Sequence, residues 1–415
     1  DGPPPLGELT AAATARCPPT GWRALLTSRG AAGAAGAAGA APASLAEVLR
    51  GKPAAPKYVF EHSGESQMQL LSAAFSPDSS LALTTSHPSA KVWNLSTGEA
   101  VRTLEHSSHS EDPDGDIFTP AVFSPDGSQV WTASADGALQ VWDLARDRAV
   151  KRWRPPSPLT TFVLSPNGEH LLTASHKHPL AGKILQLWSA RSFKRLGTTE
   201  GCVGLFSAAF SRDGKFALIT CASLEEVRLW DLATRAVVRT FKTGTAIYAQ
   251  GAKFSPDDRL VLTVEPFAVT VWNASTGARV HAFLPRGFDQ TNSAVFDESG
   301  SSRVVTADTV GIVTVWDLKT GQATHTLAHG ASVSAAVFSR DGRRVLTVAE
   351  DGFAKVWDLA KKPRGKVVRT LGGVGAWADK WGNKWLGGEL RAAFSPDGRF
   401  AMIVNGQVKL WDVPA

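Results

Sequence analysis

The sequence predicts an all-β fold in which one small antiparallel sheet is repeated eight times. Three observations support this prediction. A tryptophan that ends a β-type segment recurs eight times, a turn sequence built from Ser, Pro, Asp and Gly precedes it, and the intervening segments are short and rich in β-branched and aromatic residues. Such residues favour strands, and a period of roughly 20 to 50 residues indicates a repeat architecture.

The first strand of each copy ends at an aromatic residue, or at Leu164 in the third copy, and a turn follows. Pro presets φ for a turn, Asp bonds the nearby backbone, and Gly accepts a positive φ. These turns therefore connect the first strand to a second one as a hairpin. The residues that precede the eight turns are Phe75, Phe123, Leu164, Phe210, Phe254, Phe296, Phe338 and Phe394.

The second strand is apolar and β-branched, as in residues 345–348 (VLTV) and 130–133 (VWTA). The third strand ends at the repeated tryptophan, and successive tryptophans are 41 to 54 residues apart. That spacing is close to the length of four short strands with their turns. The eight dipeptides are Trp93-Asn94, Trp142-Asp143, Trp188-Ser189, Trp230-Asp231, Trp272-Asn273, Trp316-Asp317, Trp357-Asp358 and Trp411-Asp412.

A fourth strand follows the tryptophan, as in residues 101–104 (VRTL), 237–241 (VVRTF) and 367–371 (VVRTL). Each copy is therefore predicted to be a four-stranded antiparallel sheet. The last copy stops soon after its third strand, and Tyr58–Phe60 precedes the first complete copy. Since Tyr58–Phe60 is followed by Glu-His, as the first complete copy's fourth strand is, we predict that it supplies the missing fourth strand of the final sheet.

With these motifs, residues 57–415 resemble the WD-repeat (WD40) β-propellers, in which small sheets stack face to face around a ring. The resemblance implies an eight-bladed propeller; seven blades with one displaced unit is the alternative. It also implies a structural hydrogen-bonded set of a His, a Ser or Thr, an Asp and the Trp. In unit two the matching residues are Ser134, Asp136 and Trp142, with His106 or His109 as fourth member.

In unit seven the same comparison selects His329, Asp351 and Trp357, with Ala349 at the hydroxyl position. In most propellers these groups are structural, so no catalytic residues are predicted among them. Removing one partner of such a set leaves a buried polar group unpaired, at a cost of about 1 to 3 kcal/mol.

Residues 1–56 have a different composition, with Pro at the start and an Ala/Gly tract from residue 30 to 43. Few large apolar side chains are present to offset the entropy of ordering, so a mostly disordered extension or linker is predicted. A transit peptide and a linker from an upstream domain both fit this composition.

Three insertions exceed the length that a blade needs. The insertion at 372–391 places Trp377, Trp381 and Trp385 at helical spacing, with Lys380 and Lys384 beside them. This stripe either caps the propeller core or forms a surface for a partner protein. The insertion at 175–183 carries His176 and His178 in a turn between strands and is a second candidate for partner binding.

No metal site or cofactor is predicted. The insertion at 105–118 contains Asp112, Asp114 and Asp116, but Ile117 stands where a calcium loop requires Gly. His176 and His178 lack further ligands in sequence to complete a zinc site. The acidic run is therefore interpreted as a solvated loop.

Composition excludes several function classes. No run of about 20 apolar residues is present, so membrane insertion is not predicted. Three cysteines without short paired spacing favour a reducing, cytoplasmic or similar intracellular compartment, with organelle targeting left open. A net charge of +6 without a basic stripe makes nucleic acid an unlikely partner. Hydrolase elbows, phosphate loops and kinase motifs are absent from the sequence, so no enzyme is predicted.

The resemblance therefore implies a non-catalytic scaffold or adaptor that binds other proteins, as a subunit of a larger assembly. The alternative is a sensory or regulatory propeller in a longer signalling NTPase or kinase chain. A hydrolytic or lyase propeller would require carboxylates or histidines that converge on the central channel.

Overall fold

The computed structural model is a closed ring of eight four-stranded antiparallel sheets. All of its strands lie within the compact unit Leu49–Ala415. The structure describes residues 53–61, 72–86, 89–105, 121–133, 137–156, 159–176, 183–199, 205–221, 225–243, 251–284, 290–300, 302–361, 365–374, 392–405 and 407–413.

Blades 1 to 4 each consist of four consecutive strands, numbered from the channel outward. Blade 1 contains β2 (Ser72–Phe75), β3 (Leu81–Ser86), β4 (Ser89–Asn94) and β5 (Ala100–Glu105). Blade 2 contains β6 (Ala121–Phe123), β7 (Gln129–Ala133), β8 (Leu139–Asp143) and β9 (Arg148–Trp153). Blade 3 contains β10 (Leu159–Leu164), β11 (His170–His176), β12 (Lys183–Ser189) and β13 (Arg195–Thr199). Blade 4 contains β14 (Leu205–Phe210), β15 (Phe216–Cys221), β16 (Glu226–Asp231) and β17 (Ala236–Lys242).

Blades 5 to 7 repeat this order, whereas blade 8 combines both ends of the described chain. Blade 5 contains β18 (Ala252–Phe254), β19 (Leu260–Glu265), β20 (Ala268–Asn273) and β21 (Arg279–Phe283). Blade 6 contains β22 (Thr291–Phe296), β23 (Arg303–Asp308), β24 (Ile312–Asp317) and β25 (Ala323–Ala328). Blade 7 contains β26 (Val333–Phe338), β27 (Arg344–Ala349), β28 (Ala354–Asp358) and β29 (Lys366–Leu371). Blade 8 contains β30 (Ala392–Phe394), β31 (Phe400–Asn405), β32 (Gln407–Asp412) and β1 (Tyr58–Phe60).

The predicted closure of the ring is confirmed. Strand β1 pairs antiparallel with β32, with Val59 opposite Lys409, and is the outermost strand of blade 8. Phe60 is fully buried, and its ring centroid lies 4.9 Å from that of Trp93 in blade 1. The eight-bladed prediction is therefore correct, and the seven-bladed alternative is wrong.

The hydrophobic core is divided among the eight seams between adjacent blades. Each seam has its own cluster, in which β-branched residues and Leu of one blade pack on the next. The repeated tryptophans take part in this packing; Trp411 is fully buried and Trp230 is 1% exposed. Since sheets that stack on both faces leave only short edges, the ring itself stabilises every blade.

Residues just before β1 also bind the ring. Ala54 forms a parallel bridge with Leu371 of blade 7, and its carbonyl accepts a hydrogen bond from the Trp411 indole of blade 8 at 3.2 Å. Lys57 Nζ contacts Asp412 Oδ1 at 2.9 Å. The boundary predicted between residues 56 and 57 stays a prediction, but residues on both sides of it contact the last two blades.

Side chains from outer strands cross the seams. Each reaches a carbonyl in the turn between the third and fourth strands of the next blade. Tyr58 donates to Ser96 O at 2.7 Å, Arg239 donates to Ser275 O at 2.8 Å, and His325 Nε2 lies 3.0 Å from Leu359 O. These bonds form a peripheral set of ties outside the apolar clusters.

Candidate functional site

The strand order gives the ring two chemically distinct faces. The hairpins between the first and second strands, and those between the third and fourth strands, lie at one end; we call it the hairpin face. The turns between the second and third strands and the connections between blades lie at the other end; we call it the connection face. All three insertions lie between strands that end at the connection face, namely β5 and β6, β11 and β12, and β29 and β30.

The hairpin face is built from the repeated Ser-Pro-Asp-Gly turns. In blade 1 the Ser76 hydroxyl donates to Asp78 Oδ1 at 2.6 Å and accepts the Leu81 backbone N–H at 2.9 Å. The Ser76 hydroxyl, aided by bonds from Ser80, holds the pKa of Asp78 below its usual value. Equivalent serine-to-aspartate bonds occur at Asp126, Asp213, Asp257, Asp341 and Asp397. The serine hydroxyl therefore bonds both the aspartate and a backbone N–H at the other end of the turn. The sequence pattern assigned the bonding within the turn only to Asp.

Most of the repeated tryptophans donate their indole N–H to a threonine hydroxyl in the second strand of the same blade. This bond is 2.7 Å long from Trp93 to Thr84 and 2.9 Å long from Trp316 to Thr306. Trp142, Trp188, Trp272 and Trp357 make the same bond to Thr132, Thr173, Thr263 and Thr347. In blade 8 Ile403 stands at the threonine position, and Trp411 donates to Ala54 O instead.

Blade 7 brings three of the predicted residues together. Thr347 Oγ1 accepts the Trp357 indole at 2.9 Å and lies 2.8 Å from His329 Nδ1, while His329 Nε2 lies 3.8 Å from Asp351 Oδ1. The expectation that Ala349 leaves this set without a hydroxyl is corrected here. The hydroxyl comes from Thr347, two residues earlier on the same face of the strand, because side chains alternate with period two.

The unit-two set is only partly described. The Trp142 indole bonds Thr132 rather than the predicted Ser134, for the same reason of strand alternation. Ser134, Asp136 and His106 lie outside the described residues. Their assignment to the set stays a prediction.

His329 is buried and neutral near pH 7. Its side chain is fully shielded from solvent, and Lys355 Nζ donates to its backbone carbonyl at 2.6 Å. Burial, together with the positive charge of Lys355, lowers the pKa of His329 to about 4, although the Asp351 carboxylate opposes this change. The group is therefore suited to holding the turn of blade 7 in place and not to exchanging protons near neutral pH.

Large apolar side chains are exposed at the turns of three consecutive blades on the connection face. Phe267 in blade 5 is 49% exposed, Val310 in blade 6 is 52% exposed, and Phe353 in blade 7 is 37% exposed. By position in the repeat, Val310 corresponds to Asp351, so an apolar residue replaces the aspartate of the hydrogen-bonded set.

The three turns are fixed by backbone hydrogen bonds to the neighbouring connections. Thr291 N donates to Pro266 O at 2.9 Å, His329 N donates to Gly311 O at 2.8 Å, and Glu350 N donates to Ser332 O at 2.9 Å. Gly311 has φ +90°, and a Cβ there would lie 2.6 Å from Ala331 O. The exposed side chains are therefore held on a rigid base. We call Phe267, Val310 and Phe353 the apolar turn triad.

Sequence reasoning missed this triad because it searched insertions, not the regular turns. A usable signal was present: Gly, Asn and Asp dominate tight turns, so a Phe or Val at a turn is unusual.

The predicted binding residues Trp377, Trp381, Trp385, Lys380, Lys384 and His178 lie outside the described residues. The prediction that His176 lies in a turn is wrong, because His176 is the last residue of strand β11 and pairs with Lys183.

Comparison with known proteins identifies the repeat. The family model "WD domain, G-beta repeat" matches residues 321–358. The C-terminal WD40 domain of Sif2 superposes with a TM-score of 0.65 at 15% identity, over 87% of this chain and 99% of that one. Residues 321–358 are a WD repeat, and the whole chain has the fold of a WD-repeat β-propeller. The computationally designed Ika8 protein has the same fold, with a TM-score of 0.63 at 19% identity, over 86% of this chain and 99% of that one.

Natural relatives of this WD-repeat propeller are distant in sequence. The transcriptional corepressor LEUNIG_HOMOLOG of Arabidopsis thaliana is 23% identical over 71% of this chain and 36% of its own length. Apoptotic protease-activating factor 1 of Rattus norvegicus is 26% identical over 82% of this chain and 29% of its own length. The chain thus spans about a third of the length of these two relatives.

WD-repeat propellers are generally interaction domains that bind other proteins. Within the described ranges of this propeller, no three His, Cys, Asp or Glu side chains come close enough together to hold a metal ion. The same residues include no helix that is long and apolar enough to cross a membrane.

Proposed function

We propose that this propeller is a non-catalytic scaffold that binds a partner protein through the connection face of blades 5 to 7. The apolar turn triad is the observation that carries the proposal. Three exposed apolar side chains on fixed turns of adjacent blades would offer a partner preorganised apolar contacts, which lower the entropic cost of binding.

The charge of this face favours a partner segment that combines apolar and basic residues. Of the four carboxylates on these three turns, Glu265 and Asp308 are buried, whereas Glu350 is half-buried and Asp351 is exposed, so the last two can meet a basic partner. Opposite charge at the rim of an apolar patch increases the rate of association and the specificity for the partner. Because the insertion at 372–391 connects β29 to β30 at this face, we propose that its tryptophans also contribute to binding.

The test compares two double variants as bait in extracts of the native cells. Phe267→Ala with Phe353→Ala should lose partners that the unchanged protein retains, because large aromatic side chains supply much of the binding energy at interfaces. Val237→Ala with Val280→Ala removes exposed apolar residues from outer strands, and it should retain those partners. Both should unfold at the temperature of the unchanged protein. Equal capture by both baits would contradict the proposed surface.

Trp381→Ala tests the contribution of the insertion in the same assay. Loss of a partner with unchanged unfolding temperature would support a binding role for the tryptophan stripe. A lower unfolding temperature would support a cap on the propeller core.

A second candidate function is a sensory or regulatory module of a longer signalling chain. It is favoured by the match to apoptotic protease-activating factor 1, which covers 82% of this chain but only 29% of that protein. The complete transcript tests it. A large domain encoded upstream of Asp1 would support this candidate, and a short leader would contradict it.

A further inference from the structure

A cavity of about 740 Å³ opens on the hairpin face at the seam between blades 4 and 5. We propose that it binds a small amphipathic acid, a molecule with an apolar body and one carboxylate. The site is separate from the connection face, so it does not depend on the proposed scaffold function. Its volume lies within the range of about 300 to 1,000 Å³ that is typical of small-molecule sites.

The cavity is lined by the apolar core of both blades. Among its lining residues, Leu229 of blade 4 and Ala274 of blade 5 are buried, and Phe216 and Phe254 are half-buried. Both phenyl groups pack against the apolar cluster of this seam. An aliphatic or aromatic body of a ligand would therefore replace water on apolar surface from both blades, which is favourable in proportion to the area covered.

Two arginines stand at the cavity, one from each blade. Arg239 is held across the seam, because Nε donates to Ser275 O at 2.8 Å and Nη1 donates to Val238 O at 3.1 Å. The third guanidinium nitrogen, Nη2, makes no hydrogen bond to the residues that the structure describes. Arg259 lies on the blade 5 turn, with an exposed side chain. A guanidinium that is fixed at one edge and open at the other is well suited to a carboxylate.

The acidic groups nearby are already hydrogen-bonded within the turns. Asp258 also lines the cavity, and its two carboxylate oxygens accept the backbone N–H groups of Arg212 at 2.8 Å and Asp213 at 3.0 Å. Asp257 accepts from Ser255 Oγ at 2.6 Å. Among the lining residues two arginines face one aspartate, Asp258, so the lining carries one net positive charge, which favours an anionic ligand over a cationic one.

The next seam carries a histidine at the position of Arg239. Between blades 5 and 6 His281 Nε2 lies 2.7 Å from Leu318 O. An aromatic pair beside the tie is common to both seams, because the ring centroids of Phe283 and Trp316 lie 4.7 Å apart and those of Phe241 and Trp272 lie 5.8 Å apart. The difference that bears on an anionic ligand is therefore the arginine.

Calorimetric titration with decanoate, decanol and decylamine at pH 7 tests the class of ligand. We expect saturable one-to-one binding of decanoate, with decanol and decylamine at least about tenfold weaker, the loss that accompanies one missing charge-assisted hydrogen bond. Absence of saturable decanoate binding, or equal affinity for decanol, would overturn the proposal.

Two matched pairs of variants locate the site. Arg259→Gln should weaken decanoate binding about tenfold, whereas Arg279→Gln, on the outer strand of the same blade, should leave it unchanged. Val238→Trp should block the cavity from an exposed position, whereas Val237→Trp, its exposed neighbour that does not line the cavity, should not. Unfolding temperatures confirm that each variant is folded. Equal effects within either pair would show that decanoate binds elsewhere and would refute the assignment.

Discussion

Thr347 shows how one hydroxyl connects strand, turn and connection at the scale of a single residue. It accepts the Trp357 indole and contacts His329, which comes from the connection before the blade. In blade 6 the corresponding Thr306 bonds the Trp316 indole, and Val310 replaces the aspartate of the set. The same residue type therefore has two polar side-chain partners in one blade and one in its neighbour.

This difference gives a matched prediction. Thr347→Val should lower the free energy of unfolding by about 3 kcal/mol, since two buried polar groups lose their partner at about 1 to 3 kcal/mol each. Thr306→Val should cost about 1 kcal/mol, since one half-buried indole loses its partner. Urea unfolding of both variants measures the difference, and equal losses would show that His329 gains nothing from the hydroxyl.

At the scale of an element, closure of the ring depends on strand β1. It is only three residues long, yet it completes blade 8 and places Phe60 against Trp93 of blade 1. Its neighbour Val59 points to the other side of the strand and is 39% exposed. Ring closure therefore depends on one buried side chain as well as on the strand's backbone pairing.

Phe60→Ala should destabilise the protein by about 3 to 5 kcal/mol, the usual cost of removing a buried phenyl group. Val59→Ala, in the same strand, should change stability by less than about 0.5 kcal/mol. Thermal unfolding distinguishes the two. A Phe60→Ala protein as stable as Val59→Ala would mean that the seam between blades 8 and 1 does not hold the ring closed.

The strands were predictable from the sequence because the repeated motifs mark where they end. The Phe before each turn and the Trp at the end of each third strand mark strand ends, and the Glu-His after Phe60 indicated the role of β1. The partner of each tryptophan was not predictable in the same way. Thr347 and Ala349 lie on the same face of strand β27, and the pairing register with the third strand decides which of them faces the indole. That register cannot be read from the sequence, because the turn between the two strands varies in length from blade to blade.

At the scale of the whole molecule, the two faces carry different chemistry on one framework. On the hairpin face, the turns between the first and second strands repeat the same Ser-to-Asp hydrogen bond in six of the eight blades, so these turns vary little. The connection face varies, because Phe267, Val310 and Phe353 replace the polar turn residues expected there. A repeated fold can thus keep its stability in one set of turns while the other set changes to suit a partner.

Acid should destabilise the whole ring in two pH windows. His329 has a pKa of about 4 in the folded protein and an ordinary value of 6.5, so the unfolded chain binds more protons between these values. Folding stability should therefore fall as pH drops from 6.5 to 4, by about 3 kcal/mol in total. The pKa values of Asp78 and Asp126 are lowered by hydrogen bonds from Ser76 and Ser124, so their contribution is lost only below about pH 3.8.

Urea unfolding measured at intervals between pH 7 and pH 3 separates the two windows. His329→Asn should flatten the dependence between pH 6.5 and 4 and leave the lower window unchanged. Asp351→Asn should extend the fall in stability below pH 4, because loss of the carboxylate lowers the pKa of His329 further, while an oxygen remains to accept the Phe353 N–H. A profile that His329→Asn leaves unaltered would mean that the acid sensitivity of the propeller arises outside blade 7.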